Sequence, residues 1–255
     1  MSANVIAIAE NTFREVKRDR VLYLLVFFAL VLMALGRILG WISIDESVKV
    51  VTDLSLGAIS IFALMITIFL GASLIYKEVD KRTLYTILSK DVGRAEFVLG
   101  KFFGLLATFA ICVALMGVVF AVNVLLSGGT LNATMGAALY GLLLELTVIT
   151  AFSIAFAVAT SPILSAICTL AFYLVGHTTQ ILEEFTRTPE HEGVRPLAMA
   201  LYYAFPNLEV FNLKYEAGYG LPVSFEQLLL MTGYAVLFTG LFLGAAILIF
   251  RRKSF

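Results

Sequence analysis

The sequence has 255 residues, of which 60% are hydrophobic and only 14% are charged, whereas roughly a quarter of the residues of an ordinary soluble domain are charged. A water-soluble protein of this length cannot bury so many apolar side chains, so the composition excludes the soluble classes and predicts an integral membrane protein. The formal net charge of zero hides an uneven distribution of basic and acidic residues along the chain.

The first predicted element is an amphipathic helix over residues 3–20. Its apolar residues recur at helical spacing on one face: Ile6, Ala9, Phe13 and Val16. Its charged residues fall on another face: Glu10, Arg14, Lys17 and Arg18. This pattern predicts a helix in the membrane interface, with the basic face toward lipid headgroups and the apolar face toward the acyl chains. The alternative is a helix that packs on a protein partner.

Six apolar runs are long enough to span a bilayer as helices, which takes about 20 residues. They cover residues 21–40, 54–76, 97–126, 135–159, 163–181 and 228–250. The first run is too long for the core of a signal peptide and lacks a clear cleavage site, so we expect it to be retained. The sequence therefore predicts an all-α integral membrane protein, with residues 1–255 forming one transmembrane domain of six helices.

The distribution of lysine and arginine predicts the orientation. Most of them lie before the first run, between the second and third runs, and in the tail at 251–253. The other connections are acidic or uncharged. Among them, the turn at 160–162 is predicted to be cytoplasmic although it is too short to carry charge. Because basic residues are kept on the cytoplasmic side, both termini are predicted to be cytoplasmic and residues 182–227 to form an external loop.

The segment between the second and third runs is the only sizeable predicted cytoplasmic connection. Its residues 77–104 read KEVDKRTLYTILSKDVGRAEFVLGKFFG. Leu84, Ile87 and Leu88 make a short apolar stripe at helical spacing between charged residues. This stripe fits a helix that docks on a protein partner, and it equally fits one that folds back onto the membrane surface.

Polar residues interrupt the later runs, and a carboxylate at the bilayer centre costs about 2.5–3.5 kcal/mol on insertion scales. Asn123, Glu145, His177 and Gln180 all fall in the predicted external half of the membrane, where they are expected to form one polar cluster. The functional hypothesis is a site that lines the path of a transported molecule or its gate. The alternative is a network of hydrogen bonds between helices. We interpret His177 as a packing or interfacial residue, and the spacing of Cys112 and Cys168 predicts no metal site.

Two pairs of glycines, Gly100 with Gly104 and Gly240 with Gly244, are each one helical turn apart and permit close helix approach. We interpret one pair as packing within the chain and the other as a contact with a second subunit. No phosphate-binding loop G-x-x-x-x-G-K-[ST] occurs, because Gly93 and Gly100 are too far apart and Phe102 stands where the hydroxyl is required.

The pattern K-E-x-x-x-R-T-L, then S-K, then G-R-x-x-F-x-L-G-K-x-x-G in residues 77–104 resembles the region between the second and third spans of ABC-2 type transporter permeases. The six-run layout, the basic N-terminal helix and residues 206–213, PNLEVFNL, are also similar to that family. One departure is Asp91, since family members often have proline after the S-K pair.

The resemblance implies a permease subunit, commonly an exporter, that works as a pair with an identical or related permease and with two cytosolic ABC ATPase subunits. Segment 77–96 would then couple the ATPase to the spans, through Glu78, Arg82, Thr83, Leu84, Ile87 and Leu88, and residues 3–20 would be an elbow helix. ATP and Mg would be bound by the partner, so this chain is expected to have no catalytic residue, cofactor or nucleic-acid partner. The expected location is the plasma (inner) membrane of a bacterium or archaeon.

A second hypothesis is an ion-coupled secondary transporter in which Glu145 and His177 carry protons. The small number of ionisable residues in the runs and the lack of a visible internal repeat argue against it. An intramembrane enzyme ranks last, because the runs contain no HExxH, Ser-Lys or paired-Asp pattern.

Overall fold

The computed structural model describes residues 2–42, 47–80, 93–179, 199 and 205–252, and the regular elements within those ranges are helical. The α-helices are α1 Ala3–Lys17, α2 Arg20–Ile42, α3 Ser47–Asp80, α4 Arg94–Leu126, α5 Ala133–Ala159, α6 Pro162–His177, α7 Lys214–Tyr219 and α8 Phe225–Arg252. A 3-10 turn, η1, covers Leu208–Phe211. This confirms the prediction of an all-helical chain for the described residues.

The long helices coincide with the predicted runs. Within the described ranges, α2, α3, α4, α5 and α8 are long and apolar enough to cross a membrane. The fifth predicted run corresponds to α6, which has 16 residues and extends about 24 Å, less than a hydrocarbon core about 30 Å thick. The predicted end of that run, Ile181, lies outside the described residues. The described part of the chain thus has five candidate spans and one shorter apolar helix.

Helix α5 is the centre of the bundle, since it packs against α3, α4, α6 and α8. In its most apolar stretch 72% of the residues are buried, against 28% in α2 and in α8. The exposed side chains of those two outer helices, such as Phe27 and Leu237, are apolar and suited to lipid contact. Most positions on α5 therefore meet protein rather than lipid.

Polar side chains cap the helices where the apolar runs begin. Asn132 Oδ1 accepts the N–H of Met135 at 2.8 Å at the start of α5. Ser161 Oγ accepts the N–H of Leu164 at 3.5 Å at the start of α6, where Pro162 is the first helical residue. These oxygens satisfy N–H groups that a helix leaves without a partner. The predicted short connection at 160–162 is therefore a tight turn between α5 and α6.

Helix α1 packs along the start of α4. Val5, Thr12 and Val16 are its buried residues, whereas Ile6, on the predicted apolar face, is 55% exposed. The protein-facing side thus matches the predicted apolar face only in part: Val16 belongs to both, and the buried Thr12 satisfies its hydroxyl by donating to the carbonyl oxygen of Ile8 at 2.8 Å. Helix α1 thus packs on its own chain, while its place in the membrane interface and the alternative of a protein partner stay predictions.

Two glycines of α4 make this contact possible. A Cβ atom at Gly100 would lie 2.6 Å from the Cβ of Ile8, and one at Gly104 would lie 2.6 Å from the carbonyl oxygen of Ala9. The prediction that one glycine pair packs within the chain is confirmed for this pair. A Cβ at Gly240 would meet nothing within 4 Å among the described atoms.

The start of α4 and the end of α8 lie at the same end of the bundle. Arg94 Nη1 donates to the carbonyl oxygens of Phe250 at 2.8 Å and Arg251 at 2.9 Å. Helix α1, with Arg14 and Lys17 in its last turn, is docked at this end. We call it the basic end.

The opposite end gathers the start of α3, the start of α5 and the chain just before α8. Thr134 Oγ1 donates to the carbonyl oxygen of Leu221 at 2.8 Å, and Lys49 Nζ donates to Tyr219 Oη at 2.6 Å. We call it the acidic end, because the carboxylates of the segment 205–227 lie there: Glu209, Glu216 and Glu226.

Candidate functional site

A partly buried cluster of ionisable side chains is centred on His177, the last residue of α6. Its Nε2 lies 2.8 Å from Glu145 Oε1 on α5, and its Nδ1 lies 2.7 Å from Glu209 Oε2 on η1. The side chains of Glu145, His177 and Glu209 are 4%, 17% and 29% exposed. We call these three residues the carboxylate–histidine cluster. It joins the central helix, a neighbouring helix and the loop at the acidic end.

Two glycines allow η1 to pack closely against α5 and α6 beside this cluster. A Cβ at Gly176 would lie 2.5 Å from Leu208 Cγ, and one at Gly141 would lie 2.5 Å from the carbonyl oxygen of Phe211. Larger residues at either place would lift η1 away from α5 and α6. The close approach therefore sets the depth at which the Glu209 carboxylate meets His177.

The loop that carries Glu209 is held by the two asparagines of the PNLEVFNL motif. Asn207 Oδ1 accepts the N–H of Glu209 at 2.9 Å and the hydroxyl of Thr179 at 2.8 Å. Asn212 Nδ2 donates to Glu209 Oε1 at 2.6 Å. Three apolar residues of the motif are buried: Leu208, Phe211 and Leu213. Burial and capping together fix this segment on the helices.

The two hydrogen bonds of His177 constrain the protons of the cluster. Each ring nitrogen faces a carboxylate oxygen, so a proton must lie between each nitrogen and its oxygen. Either the ring is an imidazolium between two carboxylates, or it is neutral and one carboxyl group is protonated. Removing a proton would set a nitrogen lone pair against a carboxylate and break one of the two bonds. The cluster can therefore take up or release a proton with a change in its contacts.

The hydrogen bond from His177 also acts on the loop carboxylate. It lowers the pKa of the Glu209 carboxyl, and the Asn212 amide and the charge of Lys214 act in the same direction, while burial opposes them. These hydrogen bonds therefore favour the ionised form of the Glu209 carboxyl. Its negative charge faces both the histidine and the space next to the loop.

A cavity of about 600 Å³ opens beside Glu209 at the acidic end. It lies between the loop and the first turns of α8, and its lining combines carboxylates with apolar and aromatic side chains: Glu209, Glu216, Glu226, Leu230, Met231 and Tyr234. Tyr234 Oη accepts the N–H of Asn207 at 2.8 Å, which joins α8 to the loop. Glu209 thus belongs to the cluster and to the cavity.

The structure brings together two of the four residues of the predicted polar cluster, Glu145 and His177. Asn123 is buried elsewhere, where its Nδ2 lies 3.4 Å from the carbonyl oxygen of Met33 on α2. Gln180 lies outside the described residues. So do the predicted coupling residues Arg82, Thr83, Leu84, Ile87 and Leu88 and the side chain of Glu78.

Sequence reasoning missed Glu209 as the third member of the cluster. Its available signal was its position in the PNLEVFNL motif, where it follows Asn207 and precedes Asn212. The motif was used only as a mark of resemblance. Glu209 is 32 residues from His177 along the chain, and nothing in the spacing predicts that its side chain contacts α6.

Comparison with known proteins finds a family match over most of the chain. A family model described as ABC-2 family transporter protein matches residues 11–183, about two thirds of the sequence. The match runs from α1 through α6 and includes the segment 77–96. A search of curated proteins finds no match.

Proposed function

This chain belongs to the ABC-2 family of transporter proteins, and from that premise we propose that it is the permease that carries a substrate out across the membrane, driven by ATP hydrolysis on a separate ABC ATPase. The observation that carries the proposal is the family match over residues 11–183. The sequence has no phosphate-binding loop of its own, so the proposal requires the ATPase as a partner.

The proposed contact with the ATPase is segment 77–96 at the basic end. Its coupling residues are Glu78, Arg82, Thr83, Leu84, Ile87 and Leu88, as in the family that the segment resembles. Support comes from the position of the segment between α3 and α4, since the start of α4 is at the same end as α1 and the end of α8. The basic end is then cytoplasmic, in a bacterial or archaeal plasma membrane.

The proposed outlet of the transport path is the cavity beside Glu209. A cavity lined by both carboxylates and apolar side chains suits a substrate that combines positive charge with an apolar part. Glu145 and His177 lie behind Glu209 as gate residues, and Asn123 and Gln180 are proposed as further polar points of the path. A second, identical or related permease completes the transporter.

A second candidate function is proton-coupled transport without ATP. One observation favours it, namely that His177 bonds to two carboxylates and can exchange protons with them. The family match favours the ATP-driven permease, and the two proposals predict opposite results for purified protein without an ATPase.

The test is purification of the detergent-solubilised complex from its native host through a tag on this chain. We expect a P-loop ATPase to copurify in stoichiometric amount and to be lost from the Leu84→Asp/Leu88→Asp variant. The matched control is Leu131→Asp, the same change at a 50% exposed position between α4 and α5, which should retain the ATPase. Recovery of this chain alone, active in liposomes without ATP, would overturn the permease proposal and favour proton coupling.

A further inference from the structure

The first turns of α4 bind two other helices at the basic end. Arg94 Nη1 reaches two carbonyl oxygens in the last turn of α8, at 2.8 and 2.9 Å. The rings of Phe97 and Phe250 stack with centroids 5.6 Å apart. The last four carbonyl groups of a helix have no partner within it and carry partial negative charge, so a guanidinium satisfies them well. Arg94 therefore ties the start of α4 to the end of α8.

The same turns of α4 also hold α1. Asn4 Nδ2 donates to Glu96 Oε2 at 3.0 Å, and the buried Lys101 lies 3.5 Å from Glu15 Oε2. Together with the close contacts at Gly100 and Gly104, these bonds make α1, the start of α4 and the end of α8 one packed unit. Segment 81–92 joins this unit directly at Gly93.

Helix α8 connects this unit with the cavity at the acidic end. It is a continuous helix of 28 residues, about 42 Å long at 1.5 Å per residue. Its first turns provide Leu230, Met231 and Tyr234 to the cavity wall, and Tyr234 Oη binds the N–H of Asn207 in the loop that carries Glu209. A displacement of the end of α8 would reach the loop and the cavity through one rigid element.

We infer that Arg94 is a positioning residue that makes α8 follow the motion of the start of α4, so that a displacement by the ATPase is delivered along α8 to the cavity beside Glu209. This inference rests on the proposed function. It requires that α4 and α8 stay joined at Arg94 while the transporter turns over, and that the cavity changes with the state of the nucleotide.

The test measures the cavity from outside in the complete complex. Ser224→Cys, in the cavity wall, is introduced in a Cys112→Ala/Cys168→Ala background and reconstituted with the copurified ATPase. The rate of labelling by a membrane-impermeant maleimide is compared without nucleotide and with ATP and vanadate. We expect the nucleotide to change the rate severalfold, and Arg94→Ala to bring the ratio close to one while ATP hydrolysis continues.

Arg252→Ala is the matched control, because it removes a guanidinium at the same end whose side chain is exposed and leaves the bonds of Arg94 in place. It should keep the nucleotide response. Arg94→Lys should keep part of it, since an ammonium can reach a carbonyl oxygen but lacks the planar fork of the guanidinium. Absence of any response in the parent complex, or a full response in Arg94→Ala, would overturn the inference while leaving the copurified ATPase as evidence for the permease.

A second measurement does not depend on removing Arg94. Phe97→Cys and Phe250→Cys are joined by a short bifunctional thiosulfonate in the same background. If α4 and α8 move together, the joined complex should hydrolyse ATP and show the nucleotide response as the reduced complex does. Loss of the response on joining, with recovery on reduction, would mean that the two helices separate during turnover and would overturn the inference.

Discussion

At the scale of single residues, His177 is the partner that allows Glu145 to lie in the centre of the bundle. Removing one partner of a buried ionisable pair costs about 3–5 kcal/mol, whereas replacing both partners by apolar residues is often neutral. We therefore expect His177→Leu to destabilise the protein by that amount and Glu145→Leu/His177→Leu to be closer to wild type. Thermal unfolding in detergent can be followed by the reaction of the buried Cys112 thiol with a fluorogenic maleimide in a Cys168→Ala background. A double variant as unstable as the single one would contradict this assignment.

Glu209 gives the cluster a pH dependence with a definite sign. Its pKa in the folded protein is lowered from 4.5, chiefly by the hydrogen bond from His177. A carboxyl whose pKa is lowered by folding stabilises the folded state at pH values above its pKa in the unfolded chain. This contribution is lost as the pH falls through its pKa in the folded protein. We expect the Tm to decrease below about pH 4.5 and expect Glu209→Gln to make that decrease smaller. The groups that face Glu209 are His177, Asn212 and Lys214, and Asn212→Ala should weaken the effect without removing it. A decrease of the same size in Glu209→Gln would assign it to other carboxyl groups.

At the scale of elements, the docking of α1 depends on the absence of side chains on α4. A Cβ at Gly104 would lie 2.6 Å from both the carbonyl oxygen of Ala9 and the Cβ of Thr12. Overpacking costs about 1–3 kcal/mol, which corresponds to a change of roughly 5- to 150-fold in an equilibrium. We expect Gly104→Val to raise the labelling of a cysteine at the buried position 12 (Thr12→Cys) within that range. Gly240→Val, at an open position of α8, should leave it unchanged. Equal labelling in both variants would show that α1 does not depend on this contact.

The elements differ in how far the sequence predicts them. The runs of apolar residues locate the ends of α2, α4, α5 and α8 to within about three residues and the start of α3 to within about seven, because length and hydropathy in a bilayer are local properties. The family pattern G-R-x-x-F-x-L-G-K-x-x-G resembles the family as a whole, but the residues that its Arg and Gly contact lie elsewhere in the chain. Arg94 binds carbonyl groups more than 150 residues away, and Gly100 faces Ile8. Such contacts depend on which helices pack together, which the pattern does not contain.

Only part of the polar cluster could be predicted, because the sequence does not say which helices pack together. Helical depth places Asn123, Glu145 and His177 at similar levels of the membrane, but it does not give the direction in which each side chain points. Asn123 faces α2, while Glu145 and His177 meet between α5 and α6. The loop that supplies Glu209 was expected to be external, and its return onto α5 and α6 follows from the buried Leu208, Phe211 and Leu213.

At the scale of the whole molecule, the short helix α6 decides the topology. If α6 and the residues after it cross the membrane, the start of α4 and the end of α8 lie on one side, as the bonds of Arg94 require. The charge distribution predicts that this basic side is cytoplasmic. We expect Ser224→Cys and Leu131→Cys to react with an impermeant maleimide in intact cells, and Arg252→Cys and Arg14→Cys to react only after permeabilisation. All four would be measured in a Cys112→Ala/Cys168→Ala background. If Ser224→Cys needed permeabilisation while Leu131→Cys did not, α6 would not cross, and the hydrogen bond that joins Thr134 to Leu221 could not exist in the membrane.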